Sequence, residues 1–527
     1  MEYSLSSSLV GGSGSINPDG LSLDINFAAD KTLTARKGPT PVFTRASGNT
    51  GGVTYFAPSD IFATYSYLGV DYDITLNQDV ATGVVNSRWQ WTNASVVVIS
   101  YTGTAWALEQ SGNLVATSAP TSQAWRPDLA DWTGTGVVVT NGTPYKLLRA
   151  ATNEPRFDYD LSDLTSKGLL IEESRTNQTK YSYNNFTNAY WESTASNVTA
   201  VDSVTTNPPD SFIPTFSSLT EIIGASVSRH IHESTGVFTP TANTSYTMSV
   251  WVKRPVSNPI RYVQLAFWIA GFGSTAYMNY DILLGQVKTG GAGITASSIT
   301  AYPNGWYRIT ATATSVASPA ASGFQLGFST TSGAVRTEAY TVSSSPKSIY
   351  LWGAQVEAGA FATSYIPTTT TSLTRSADVC SITDTDFTSF AKQGQGSIIV
   401  HGDSYQGTTP AFCQFVDSGN GSRSFNFLRN NSTGALDYND SGSGTVTVSA
   451  SPSYPVKFGA ARSQVIGVRT YYNGGVGGVS NFTTNGVQTR MLIGNSGSGL
   501  PLNGCIRSIK HYKQALSQTK MQALTAP

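Results

Sequence analysis

The sequence predicts an all-β, multidomain protein. Charged residues make up only 12% of the chain, about half the usual share, and Ser, Thr, Gly and Asn take their place. Apolar residues at 39% and aromatic residues at 11% are too many for a disordered chain. Thr, Val, Tyr and Phe suit pleated surfaces, and 50 Gly with 23 Pro supply turns between many short strands. At 527 residues the chain exceeds a single hydrophobic core, so several domains are expected.

The elements follow in chain order. Residues 1–20 form a Ser/Gly-rich arm. Leu21 to Phe27 alternates apolar and polar residues, as a half-buried strand does. With Pro-Val-Phe-Thr-Arg-Ala-Ser at Pro41–Ser47, these residues make an N-terminal β anchor region over 1–56. Residues 57–147 form an inserted β domain. Its strand signals are Ser95–Tyr101 and Gly136–Thr140, and it holds Trp89, Trp91, Trp106, Trp125 and Trp132. Residues 148–177 return to the anchor region through Pro-Arg-Phe-Asp-Tyr at Pro155–Tyr159 and Gly-Leu-Leu-Ile-Glu-Glu-Ser-Arg-Thr-Asn at Gly168–Asn177.

Residues 178–370 form a β-sandwich: Tyr246–Lys253 and Gly305–Thr314 alternate cleanly, and Phe324–Phe328 and Ser348–Ala354 continue the pattern. The Thr/Ser run Thr368–Thr374 reads as a linker into a final domain, 371–527. Gly396–Val400, Val465–Gly475 and Met491–Asn495 are its strands, and Ser517 is placed to cap a C-terminal helix.

Together, Pro41–Ser47, Pro155–Asn177 and the string Tyr-Leu-Trp-Gly-Ala-Gln-Val-Glu-Ala-Gly-Ala-Phe-Ala-Thr-Ser-Tyr-Ile-Pro-Thr at Tyr350–Thr368 resemble a recurrent family of tailed-bacteriophage virion proteins, tail fibres and tail structural proteins. The resemblance covers about 1–56 and 148–527 and leaves the insert unexplained. Within 178–370, the order Asn185–Trp191, Tyr246–Lys253, Asn304–Tyr307 and Trp352–Glu357 resembles galactose-binding-like carbohydrate-binding modules. The ending, Leu502 to Leu524, resembles concanavalin/laminin-G-like jelly rolls. These likenesses imply a virion location after synthesis in host cytoplasm, contacts with other virion subunits, a homotrimer, and host-surface glycan as a partner.

Several classes of chemistry lack their residues. The chain has no Glu after Glu357, so the paired carboxylates of a glucanase are missing from the last domain. Neither a Gly-x-Ser-x-Gly elbow nor a phosphate-cradling Gly-x-x-x-x-Gly-Lys occurs. No catalytic residue, metal site or cofactor is therefore expected. Net charge is zero, so nucleic acid is not an expected partner. No apolar run is long enough for a membrane-spanning helix, and the N-terminus does not read as a secretory signal.

Other readings are local. Cys380, Cys413 and Cys505 are expected to be buried free thiols. Asp384 and Asp386 offer oxygens to a cation, but two residues do not make a site, and a polar turn is the simpler reading. His230, His232 and Glu233 resemble a metal or acid/base cluster, since two histidines on one strand face can chelate zinc, but a third ligand and a positioned water are also needed, and a surface strand is the preferred reading. After Asp440 the chain carries eight Lys/Arg and no acid, which suits either anionic partners or acids placed earlier in the fold.

Sugar rings stack on aromatic faces while their hydroxyls seek Asn, Asp and Gln. Carbohydrate-binding candidates on that basis are Trp268, Tyr277 and Tyr280 in the sandwich, and Tyr438, Asp440, Tyr471, Tyr472 and Asn473 in the last domain. Trp251, Trp306 and Trp352 sit in alternating strands and are expected in the core. The functional expectation is a tail fibre or appendage that binds host-surface carbohydrate. The alternatives are a capsid decoration protein, head fibre or tail-wall protein without sugar binding, and then a depolymerase tailspike.

Overall fold

The computed structural model describes residues 20–47 and 150–527, apart from 161–165, 184, 192–196, 205–214, 225–226, 235–237, 303–304, 405–410, 417–423, 431–432, 441–443, 464, 482–486 and 497–500; within 48–149 it describes only the backbone of strands. The described chain is all-β, with antiparallel sheets and a few short helices.

The chain is nested. An eight-stranded sheet takes Leu21–Ile25, Arg156–Tyr159 and Ser166–Ile171 from the N-terminal part and Gly396–Ser404, Val456–Ser463, Gly467–Tyr472, Gly475–Ser480 and Gly504–Tyr512 from the C-terminal part. A seven-stranded sheet takes Val42–Thr44 from the first part and six strands between Val379 and Ile493 from the last. Leu23, Ile25, Phe27, Phe43, Leu169 and Ile171 share one core with Phe415, Phe427, Phe458 and Ile506. This corrects the sequence-based division. Residues 20–47 and 150–177 are not a separate anchor region; they complete the jelly roll of 371–527. Their short strands cannot cover both faces alone, whereas the long strand Gly504–Tyr512 offers one edge to both. Its first residues pair with Leu169–Ile171 and its last with Leu21–Ile25.

Both insertions leave this jelly roll through a two-stranded ribbon. Gly52–Thr54 pairs with Leu148–Arg149 at the neck of the first insert, whose strands form a seven-stranded sheet. Arg175–Asn177 pairs with Leu373–Arg375 at the neck of the sandwich. The Thr/Ser run read as a linker therefore ends in a paired strand.

The sandwich has a six-stranded sheet in the order Val198–Val204, Phe216–Glu221, Ser348–Ala358, Ser245–Lys253, Trp306–Thr314, Ile294–Tyr302. A five-stranded sheet, Ile231–Glu233, Gln325–Ser329, Tyr262–Ala266, Tyr277–Asp281, Gln286–Gly290, faces it. Met248, Val250, Val252, Leu265 and Leu326 fill the space between, at alternate positions of their strands. Trp251, Trp306 and Trp352 are buried as expected. Trp306 packs edge-on against Phe216, and Trp251 packs against Trp352 and Tyr365.

Local expectations have mixed outcomes. Ser517 Oγ accepts a hydrogen bond from the Lys520 amide at the start of the helix Gln518–Thr525. The three cysteines are buried free thiols. Asp384 and Asp386 lie in the first turn of the helix Asp384–Phe390, where carboxylates meet the positive end of the helix dipole. The histidine pair is corrected. Both His230 and His232 are buried, His230 between the carbonyls of Asn197 and Tyr340 and His232 stacked on Trp191.

Candidate functional site

The three strings of the bacteriophage resemblance converge where the sandwich meets the jelly roll. Arg45 comes from the first string, Arg156 and Glu172 from the second, Ser364 from the third, and Arg375 and Asp378 follow it. All are buried. Asp378 accepts from Arg45 Nη1 at 3.2 Å, from the Glu172 amide at 2.9 Å, and from Arg156 Nη2. Glu172 Oε2 takes Arg156 Nη1 at 2.8 Å and Arg375 Nη1 at 3.1 Å. The Ser364 amide and hydroxyl donate to the Glu172 carboxylate at 2.8 and 2.5 Å. Burial alone would raise the Glu172 carboxyl, but Arg375 and Arg156, helped by Ser364, hold it down to about 2.

The rest of the third string serves the same junction. Asn177 Nδ2 donates to the carbonyls of Ala354 and Ile366, and its Oδ1 accepts from the amides of Thr179 and Val356. Glu357 accepts from the Thr363 amide and hydroxyl. Gly359 has φ +138°, and a Cβ there would stand 1.4 Å from Arg175 Nη1. These are positioning contacts between opposed charges and satisfied amides; they form a clasp between the sandwich and the jelly roll.

The carbohydrate-binding candidates separate on burial. Tyr280 is 0% exposed and donates from its hydroxyl to the Thr310 carbonyl, so it is core. Tyr438 lies in the jelly-roll core, and Tyr471 packs in a smaller buried cluster with Met521. Their alternation was legible, but the face that points inward was not. Tyr472 is half-buried and accepts from the Ser453 amide at 2.8 Å, and Asn473 is a turn residue at φ +43° whose Oδ1 receives the Lys457 amide. Both are committed to the turn. Asp440 ends the strand Leu436–Asp440, and its side chain lies outside the described residues.

Trp268 and Tyr277 remain, and the structure brings them together. The strands Tyr262–Ala266 and Tyr277–Asp281 pair with Ala266 opposite Tyr277, and the Phe267 amide donates to the Ala276 carbonyl. Both rings are half-exposed and flank that pair. Trp268 lies against Gly323, and the Tyr277 ring lies against Gly291. Arg336 reaches the same place, donating to the carbonyls of Phe267 and Ala276 and to Gln325 Oε1. Gln325 Nε2 in turn donates to Glu233 Oε2 at 2.6 Å. Burial lowers the Arg336 guanidinium from its ordinary value, as does nearby Arg229, with Glu233 and Tyr277 opposing. The Trp268 indole N–H is buried with no hydrogen-bond partner.

This end offers two aromatic faces and the Glu233 carboxylate, which the buried Gln325 amide holds in place. Sequence reasoning missed Arg336 and Gln325, which are distant in the chain and carry no motif, and noted Glu233 only beside the histidine pair. The neighbouring polar face of the same sheet is closed: Gln264 and Asn279 bond to each other and to Ala334, Val335 and Thr337 of the loop between Thr330 and Glu338. Among the described residues, no group of three or more His, Cys, Asp and Glu side chains could hold a metal ion.

No family model matches the chain, and no curated protein matches it. Among solved structures, the chain is similar to a carbohydrate-binding module of a Ruminococcus gnavus sialidase bound to α2,3-sialyllactose, at 15% identity and a TM-score of 0.23. The match covers 26% of this chain and 84% of that one. At that score the likeness is partial and carries nothing about a ligand.

Proposed function

We propose that this chain is a virion surface protein of a tailed bacteriophage, a tail fibre or similar appendage that binds host-surface carbohydrate through the Trp268 end of its sandwich. The three strings support the virion reading through their resemblance to that family. The observation that carries the binding reading is the half-exposed pair Trp268 and Tyr277 beside Glu233 and Gln325, with an unpartnered indole N–H. A sugar ring stacked there leaves its hydroxyls in reach of the Glu233 carboxylate. In a homotrimer, weak single sites gain avidity of about 10²–10⁴ when linked. The reading includes no catalytic step.

One observation favours a second reading, a capsid decoration, head-fibre or tail-wall protein without sugar binding: Tyr280, Tyr438 and Tyr471 are packing residues. Imaging purified virions with a label at Pro527 separates the two. Density at the tip of a tail appendage is the expected result, and density spread over the capsid lattice or tail wall would replace the first reading with the second.

A further inference from the structure

We propose that the jelly roll holds a separate binding site for the carboxylate of an acidic sugar, in the cleft beside Arg462 and Gln488. The cleft lies beyond the end of the helix Asp384–Phe390, against the strands Gly396–Ser404, Val456–Ser463 and Gly504–Tyr512. It encloses about 360 Å³ counting its open mouth. Its inner part has room for little more than one water-sized group.

The cleft is built. Gln393 holds Gln488 by two hydrogen bonds, from Gln393 Nε2 to the Gln488 carbonyl at 2.7 Å and from the Gln488 amide to Gln393 Oε1 at 3.1 Å. Arg462 Nη2 stands 3.4 Å from Gln488 Oε1. A guanidinium only donates, so the amide oxygen must face it and the Gln488 NH₂ must point elsewhere. Gln488 is 3% exposed, and that nitrogen has no hydrogen-bond partner. A buried donor left so costs about 1–3 kcal/mol, and an entering carboxylate oxygen removes the cost.

The charge of the cleft has one sign. No Asp or Glu lines it, and none occurs in the sequence after Asp440. Burial, then Arg462 and Lys513, pushes the lining His511 down to about 3, so that imidazole is neutral near pH 7. The positive charge therefore comes from Arg462 in the wall and exposed Lys392 at the mouth. Earlier acids do balance part of the basic C-terminal segment: Arg507 pairs with Asp403 and Lys510 with Asp24. Ile398, Phe415 and Ala460 belong to the jelly-roll core and close the inner end, so that only the carboxylate enters and its ring stays at the mouth; that the acid is a sugar rests on the carbohydrate reading proposed above. A guanidinium grips a carboxylate in parallel hydrogen bonds, which selects an acidic sugar over a neutral one.

Isothermal titration of the full chain with N-acetylneuraminic acid, glucuronic acid, galactose and inorganic phosphate tests the site. The expected result is saturable binding of at least one sugar acid and none of galactose. Arg462→Met abolishes that binding, Lys392→Glu weakens it several-fold, and Val201→Ser, at an exposed position in neither proposed site, leaves it unchanged. Lys392 is exposed, so its variant decides the matter even if Arg462→Met does not fold. No saturable binding of either acid, binding of phosphate alone, or sugar-acid binding indifferent to Lys392→Glu would overturn the proposal.

Discussion

Asp378 shows how a motif can be legible while its role is not. Its carboxylate faces Arg45 and Arg156 and receives the Glu172 amide, all out of water. Removing one partner of a buried ion pair strands the other charge, at a cost of about 3–5 kcal/mol. Asp378→Ala is therefore expected to lower the unfolding free energy of the jelly roll by that order, measured by urea unfolding. Titration adds a second residue-scale prediction. Burial lowers His232 to about 4 and is the first cause of the fall of His511 to about 3, both from an ordinary 6.5. Glu172 sits at about 2 against an ordinary 4.5. Between each pair of values the unfolded chain holds a proton that the folded chain lacks, so stability is complete above pH 6.5 and falls as pH falls. The slope is about 1.4 kcal/mol per pH unit for each group in its window. Chemical denaturation at pH 7, 5 and 3.5 checks it, and His511→Gln should flatten the slope by about one proton.

At the scale of elements, the strand Gly504–Tyr512 organises the jelly roll because one of its edges serves two N-terminal strands end to end. Gly168 makes the first contact possible. Its φ is +89°, and a Cβ would stand 2.1 Å from the Ile506 carbonyl oxygen. Gly168→Ala must move the strand Ser166–Ile171 away, and is expected to cost more than the roughly 1 kcal/mol of an exposed glycine replacement, read as a drop in thermal midpoint. The alternation of Tyr246–Lys253 or Gly305–Thr314 made such strands legible in sequence. Period 2 does not say which face meets the core, so Tyr280 and Tyr438 read as platforms although they are packing residues. The histidine strand failed for the same reason: His232 points at Trp191. Arg336 and Gln325 had no local signal, and Glu233 was noted only beside the histidines, because only the closure of the sheet and the loop above it brings the three together.

For the whole molecule, the nested order decides what can be cut. The sandwich has its own core and enters and leaves through one ribbon, so 178–370 is expected to fold alone, with a single cooperative transition by circular dichroism. The jelly roll cannot do so from 371–527. Leu23, Ile25, Phe27 and Phe43 are buried in its centre, and at about 1.5–3 kcal/mol each their loss rivals the whole stability of a domain. Deleting 1–47 should leave the sandwich transition in place and abolish that of the jelly roll. The same nesting keeps the clasp residues far apart in sequence, and this is why their strings read as an unexplained resemblance. It also holds the Trp268 end on a domain that is fixed to its neighbour. The most direct test of the binding account is glycan-array binding by the full chain beside Trp268→Ala and Tyr277→Ala. Binding to a host-surface glycan without a carboxylate that either substitution removes, with the thermal midpoint unchanged, is the predicted result; an array without such binding, or such binding indifferent to both substitutions, would contradict it.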